Sequence, residues 1–215
     1  MKVQSYQVPA MRLEGSRQGI DYAENTLANL KSTTVGSNLL SEITRHSQNG
    51  REVKIFVSEH ARSATFPILT HDQMNKLNLH SDQPHEVLIN AARPLALKKG
   101  RFVKGEGTRA TVYWNPHENP STTPLMHHIA QTSALTLVGS DSGRTRVVGL
   151  VEANLVHELI HAMRIIKGTY TDDTSSEGRA NEERRALGVN EYANEGISEN
   201  AFRREMELPL RAWFN

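Results

Sequence analysis

The sequence contains no cysteine among its 215 residues. This absence excludes disulfide bonds, thiol catalysis and cysteine-based zinc sites, so histidine, carboxylate or water would have to hold any metal. No apolar run approaches the roughly 20 residues that a transmembrane helix needs. The N-terminus also lacks the apolar core of a cleavable export signal. We therefore expect no membrane partner.

An excess of charge of one sign is missing as well. Lys plus Arg number 25 and Asp plus Glu number 24, which gives a formal net charge of +1. A protein that binds nucleic acid through a broad electrostatic field would carry a clear basic excess. We therefore expect no nucleic-acid partner. The length favours one domain, at residues 21–215, behind a polar and disordered lead at residues 1–20.

Local patterns predict helices and strands in mixed order. The predicted elements are helices around residues 22–30, 39–43, 147–166, 179–187 and 198–206, and strands at residues 53–57 and 108–114. Ser37 or Asn38 is the expected N-cap of the second helix, and residues 58–90 stay unassigned. This order predicts an α+β fold, in which a short mixed sheet packs on the longest helix and further helices follow toward the C-terminus.

The strongest chemical motif is HELIH at residues 157–161. Residues i and i+4 stack on one face of a helix, so His157 and His161 can bind one Zn²⁺ while Glu158 lies beside its bound water. Leu155 and Ile166 belong to an apolar face that would bury this helix and make the histidines line a cleft. The alternative is an ordinary helix with two half-exposed histidines.

A catalytic zinc usually takes three protein ligands, and the third must lie elsewhere in the chain. No histidine follows His161, so a downstream carboxylate is expected. Glu182 and Glu183 are adjacent in a predicted helix and point about 100° apart, so only one of them can face the metal. Small Ala186, one turn later, permits close helix contact and favours Glu183. The alternative is that the EERR run forms a solvated charged face.

This ligand set predicts peptide hydrolysis. Zinc lowers the pKa of its water, and Glu158 accepts the proton and passes it to the leaving amine. The oxyanion needs a further donor, for which Tyr192, Arg203 and Arg211 are candidates, although each has the alternative of a surface or ion-pair role. The strand at residues 108–114 is a candidate for binding substrate by strand addition, its alternative being a plain core strand.

Several segments together resemble a known family. HELIHA, EERRALG and SENAFRREMELPLR, preceded by KGRFVKGEG and VYWNP, are similar to the NleD/HopH-type zinc metallopeptidases, which are bacterial effectors injected into host cells by type III secretion. The likeness covers about residues 95–215. It implies a gluzincin-like, zincin-type fold with His157, His161 and Glu183 on zinc and Glu158 as the catalytic base.

The resemblance extends to other zinc peptidases and bears on the C-terminus. EERRALG is similar to the EExxTFG helix of clostridial neurotoxin light chains, where the second glutamate binds the metal. Relatives often end in an Arg-x-x-Tyr pattern that supplies transition-state donors. Here Arg211 matches the arginine, but Phe214 stands at the tyrosine position, so Tyr192 is a candidate replacement.

The resemblance also implies a setting for the protein. The expected partners are a host protein substrate, with the activation loop of a mitogen-activated protein kinase as one candidate, and a secretion chaperone. The polar lead at residues 1–20, which has no cleavable signal, resembles a type III secretion signal. The expected location is the host cytosol, where a chain without cysteine tolerates the reducing conditions. Two other hypotheses stay open. One is a catalytically degenerate member that only binds zinc or a host protein, and the other is a domain whose HELIH motif is accidental.

Overall fold

A computed structural model describes residues 1–100, 103–118, 137–138, 146–147 and 149–212. The strands are β1 (Lys2–Gln4), β2 (Met11–Glu14), β3 (Val53–Val57), β4 (Ala64–Ile68), β5 (Arg109–Trp114), β6 (Leu137–Val138) and β7 (Arg146–Val147). The helices are α1 (Arg17–Lys31), α2 (Thr34–His46), α3 (His71–Lys76), α4 (His85–Ala96), α5 (Leu150–Lys167), α6 (Ser176–Leu187) and α7 (Glu199–Glu205). A 3-10 turn covers Asn190–Tyr192.

Five strands form one mixed sheet in the order β1-β2-β3-β5-β4. The three inner strands β2, β3 and β5 are parallel, and β1 and β4 run antiparallel to their neighbours at the two edges. Alternate residues of β3 are buried, as the apolar spacing at residues 53–57 predicts. Pro67 lies in β4, where an edge position tolerates a residue without an N–H.

Helix α5 lies at the centre of the molecule and packs against β4 and β5, with α2, α6 and α7 around it. Almost every residue from Ala153 to Ile166 is buried, which is why this helix is apolar on most sides. It ends at Gly168, whose φ of 70° is the left-handed conformation of a glycine C-cap. The sheet packed on this helix confirms the predicted α+β class.

The expectation of a disordered lead at residues 1–20 is wrong. Strand β2 pairs in parallel with β3, and both Met11 and Leu13 are fully buried. The buried carboxylate of Glu24 accepts hydrogen bonds from the Ser5 hydroxyl and the Tyr6 N–H, which fixes the turn between β1 and β2. Strands of three and four residues are too short to stand out in a polar sequence. They are stabilised by pairing within the sheet, β1 with β2 and β2 with β3.

Two helices begin earlier than predicted, because other side chains cap them. Helix α2 begins at Thr34 rather than near Leu39, because the Thr33 hydroxyl accepts the N–H of Gly36 and acts as the N-cap. Helix α6 likewise begins three residues before position 179, with Ser175 as its N-cap. Residues 58–90, which had no assignment, form β4, α3 and the first part of α4. In the part of the chain that the structure describes, no helix is long and apolar enough to cross a membrane.

Candidate metal centre

Helix α5 brings two imidazoles together. His157 and His161 are both buried, and their Nε2 atoms lie 3.1 Å apart. The separation of four residues places them one above the other on the face that α6 and α7 cover. Each ring therefore presents Nε2 to one common point.

Helix α6 supplies a carboxylate at the same point. Glu183 Oε2 lies 3.2 Å from His157 Nε2, and Glu183 Oε1 lies 3.4 Å from His161 Nε2. One ligand atom from each of the three residues lies within 4.8 Å of the others, a spacing that could hold a metal ion. The side chain of Glu183 is 42% exposed, so the group is open toward solvent on this side.

The neighbouring glutamate points the other way. Glu182 is only 1% exposed, and its Oε1 lies 3.0 Å from Nδ1 of His161, on the side of the ring opposite Glu183. Adjacent residues of a helix point about 100° apart, which lets one carboxylate face Nε2 and the other Nδ1. The EERR run is therefore not a solvated charged face.

Glu182 is held from several sides. Arg164, itself buried, donates to Oε1 at 3.1 Å, and the backbone N–H and hydroxyl of Thr171 donate to Oε2 at 3.0 and 2.7 Å. Burial raises the pKa of this carboxyl, but Arg164 and His161 outweigh burial and lower the pKa to about 2. Glu182 is thus an ionised acceptor that fixes the orientation of the His161 ring.

Glu199 fixes the orientation of the His157 ring, as Glu182 does for His161. This fully buried residue, in the first turn of α7, places Oε2 at 2.9 Å from His157 Nδ1. It also accepts from Arg203 Nε at 2.6 Å and from Arg211 Nη1 at 2.8 Å. Sequence reasoning missed Glu199, since the i, i+4 spacing of Glu199 and Arg203 signals a helix-borne ion pair but not a contact with His157.

The electrostatics of the centre suit a divalent cation. Burial opposes the charged imidazoles, but Glu183 and Glu199 raise the pKa of His157 to about 9, and Glu182 and Glu183 raise that of His161 to about 10. The pKa of Glu183 is well below its usual range, because both histidines outweigh the effect of burial. The centre offers two imidazole nitrogens and one carboxylate, which fit the donor set of a zinc site. A further carboxylate contacts the other nitrogen of each imidazole, as is common around zinc.

Glu158 lies buried beside the two histidines. Its Oε2 accepts a hydrogen bond of 2.6 Å from the Thr65 hydroxyl, which comes from the edge strand β4. Strand β5 is paired on both sides, with β3 and β4. The strand at residues 108–114 therefore has no edge for substrate addition, and its alternative as a core strand is correct.

The candidate oxyanion donors occupy different surroundings. The Tyr192 hydroxyl donates to Asn181 Oδ1 at 2.7 Å, and Arg203 is buried in its ion pair with Glu199. Arg211 reaches the centre through the same carboxylate. The side-chain amide of Asn200 donates to the Arg211 carbonyl and accepts from the Arg211 backbone N–H, each at 2.9 Å. Phe214 lies outside the described residues.

A sheet packed on a helix that carries two histidines one turn apart and a glutamate between them is consistent with a metallopeptidase. The comparison with protein families agrees with this class. The chain belongs to the peptidase M91 family, whose model, described as effector protein, matches residues 9–214. The resemblance to NleD/HopH-type effectors is therefore confirmed. No curated protein shows significant similarity to the chain.

Proposed function

We propose that this protein is a zinc-dependent endopeptidase that cleaves a host protein after injection through a type III secretion system into the host cytosol. The observation that carries the proposal is the convergence of His157, His161 and Glu183, with buried Glu158 next to them. Membership of a peptidase family described as effectors supports both the chemistry and a host target.

The position of each residue determines its proposed role in hydrolysis. His157, His161 and Glu183 would hold the ion, while Glu182 and Glu199 keep the imidazole rings in place from their Nδ1 side. Bound zinc supplies a Lewis acid that acidifies water and polarises the peptide carbonyl. Glu158 then accepts a proton from the attacking water and delivers it to the leaving amine nitrogen.

Of the three candidate oxyanion donors, Arg211 is favoured over Tyr192 and over Arg203, which is buried in its ion pair with Glu199. Arg211 shares Glu199 Oε2 with His157 Nδ1, which places its guanidinium within two contacts of the metal-facing ring. A guanidinium has five N–H donors, whereas the single hydroxyl proton of Tyr192 is used in the bond to Asn181. A donor at this position would stabilise charge that develops on the carbonyl oxygen.

The β4 edge that pairs with no strand among the described residues is the proposed place for the substrate backbone. In the described sheet β4 pairs only with β5, and its Thr65 touches Glu158. An extended segment that pairs with this edge would lie next to the base. An exposed activation loop of a host mitogen-activated protein kinase is a segment of this kind, and we keep it as the candidate substrate. A secretion chaperone remains the second proposed partner.

The test is to label new protein N-termini in host-cell lysate after addition of zinc-loaded protein. We expect the wild type to generate new peptide ends that the Glu158→Ala variant does not generate. Both proteins should hold about one zinc per chain. The same set of ends with both proteins would contradict the proposal.

A non-hydrolytic member that binds zinc or a host protein is the second candidate, and Phe214 in place of the family tyrosine favours it. This reading predicts one zinc per chain and no new peptide ends. Loss of zinc in His157→Ala would at the same time exclude an accidental HELIH motif.

A further inference from the structure

The Thr65 hydroxyl contacts Glu158 twice, at 2.6 Å from the carboxylate Oε2 and at 3.1 Å from the backbone carbonyl. We propose that Thr65 is a positioning residue, which orients the Glu158 carboxylate so that its other oxygen faces the metal-bound ligand. This inference rests on the proposed role of Glu158 as the base and adds the residue that holds it.

The direction of the hydrogen bond follows from the donor count. A threonine hydroxyl has one proton and a carboxylate oxygen accepts, so Thr65 is the donor. The shorter of its two contacts is the one to Oε2, and a hydroxyl–carboxylate bond of this length is charge-assisted. Among the described residues no other group bonds to the Glu158 side chain, so Oε1 is left for the reaction.

The support behind Thr65 is rigid. Thr65 lies opposite Val112 in the pairing of β4 with β5, and its β-branched side chain has few accessible χ1 rotamers. A glutamate side chain has three rotatable bonds, and a misplacement of about 1 Å at a catalytic group can cost about a hundredfold in rate. The hydroxyl therefore fixes a flexible base to the same strand that offers its open edge to a substrate.

A purely structural role for Thr65 makes a different prediction. If Thr65 only fills space between β4 and α5, Thr65→Val should behave like the wild type, because valine has nearly the same shape. If the hydroxyl orients Glu158, Thr65→Val should lose affinity for a probe that hydrogen-bonds to Glu158. Thr65→Ser keeps a hydroxyl and should retain that affinity. Thr65→Ala serves as a second variant without the hydroxyl should valine disturb folding.

The experiment measures the affinity of zinc-loaded protein for acetohydroxamate by calorimetry. This small metal-binding probe hydrogen-bonds to a neighbouring general base when bound. We expect Thr65→Val and Thr65→Ala to weaken probe binding about tenfold, because each loses one hydrogen bond to a charged group. Glu158→Gln should weaken probe binding at least as much. Thr65→Ser should bind the probe as tightly as the wild type. So should the control Thr111→Val, which changes a buried residue on the neighbouring strand β5. The affinity for zinc should be unchanged in all of these variants.

Equal affinity in the wild type, Thr65→Val and Thr65→Ala, with Glu158→Gln weakened, would overturn the proposal. Equal affinity in the wild type and Glu158→Gln would also overturn it, because Glu158 would then not face the bound probe. The readout does not depend on cleavage. If the lysate shows no new peptide ends but the probe series follows the expected order, the peptidase proposal fails and the positioning role of Thr65 stands.

Discussion

At the scale of single residues, two adjacent glutamates have different roles. Glu183 faces both imidazole Nε2 atoms, whereas Glu182 contacts Nδ1 of His161 and the buried guanidinium of Arg164. Helical geometry made this division predictable in part, because only one of two neighbours can face a given point. The burial of Glu182 could not be predicted from the sequence, since it depends on the contact with the buried side chain of Arg164.

This division predicts an order of zinc affinities. Glu183→Gln removes a charged ligand and should lower zinc affinity by more than a hundredfold, whereas Glu182→Gln removes an orienting contact and should lower it by about 10- to 100-fold. Competition with a chelating dye measures both values, with Glu177→Gln on the exposed first turn of α6 as the control. The reverse order would contradict the assignment of Glu183 as the ligand.

At the scale of elements, the ends of helices are stabilised by distant parts of the chain. The Glu205 carboxylate, at the end of α7, accepts the N–H of Val35 at 2.8 Å and that of Thr34 in the first turn of α2. Burial opposes ionisation, but these N–H groups outweigh it and lower the pKa of Glu205. A carboxylate at a helix N-terminus is also favoured by the helix dipole.

Glu205→Gln should therefore reduce the free energy of unfolding by about 0.5–1 kcal/mol at neutral pH. Because the folded-state pKa is lowered, the stabilisation is present above the unfolded-state pKa and is lost as the pH falls through the folded-state value. Urea unfolding across this range should show the two proteins converging in acid. Glu207→Gln, an exposed neighbour, is the control, and a constant difference at all pH values would contradict the mechanism.

The C-cap of α5 gives a second prediction at this scale. Gly168 has a φ of 70°, and a Cβ there would lie 2.2 Å from the carbonyl oxygen of Gly105. Gly100 has the same φ, but a Cβ there would meet nothing within 4 Å. Gly168→Ala should thus destabilise the protein by about 2 kcal/mol or more, and Gly100→Ala by less, as urea unfolding can measure. Equal losses would mean that the contact with Gly105 is irrelevant.

Sequence patterns predicted the elements that carry their own periodicity and missed those that depend on partners. Helix α5 and strand β3 have clear apolar spacing, and Gly168 marks the end of α5. The strand that carries Thr65 and the helix turn that carries Glu199 gave no local signal for the site. Their contacts join residues far apart in the chain, so only the packing of β4 and α7 on α5 brings them to the histidines.

At the scale of the whole molecule, the N-terminal segment is part of the fold. Strand β2 extends the sheet beside β3 and buries Leu13 completely. Leu13→Ala should therefore lower the free energy of unfolding by about 2–5 kcal/mol through loss of buried surface and creation of a cavity. Tyr6→Ala, at an exposed position of the same segment, should change it by less than about 0.5 kcal/mol.

Urea unfolding of both variants checks this prediction, and equal stability of Leu13→Ala and the wild type would contradict the structure of the sheet edge. The result also bears on secretion. A type III signal proposed at residues 1–20 would have to leave the sheet before the chain is exported, so weakening β2 should expose it.

The most direct test of the whole account is to locate the metal in crystals by anomalous X-ray scattering at the zinc absorption edge. We expect one peak, about 2.0–2.2 Å from His157 Nε2, His161 Nε2 and a carboxylate oxygen of Glu183. A peak elsewhere, or one that Glu183 does not reach, would contradict it.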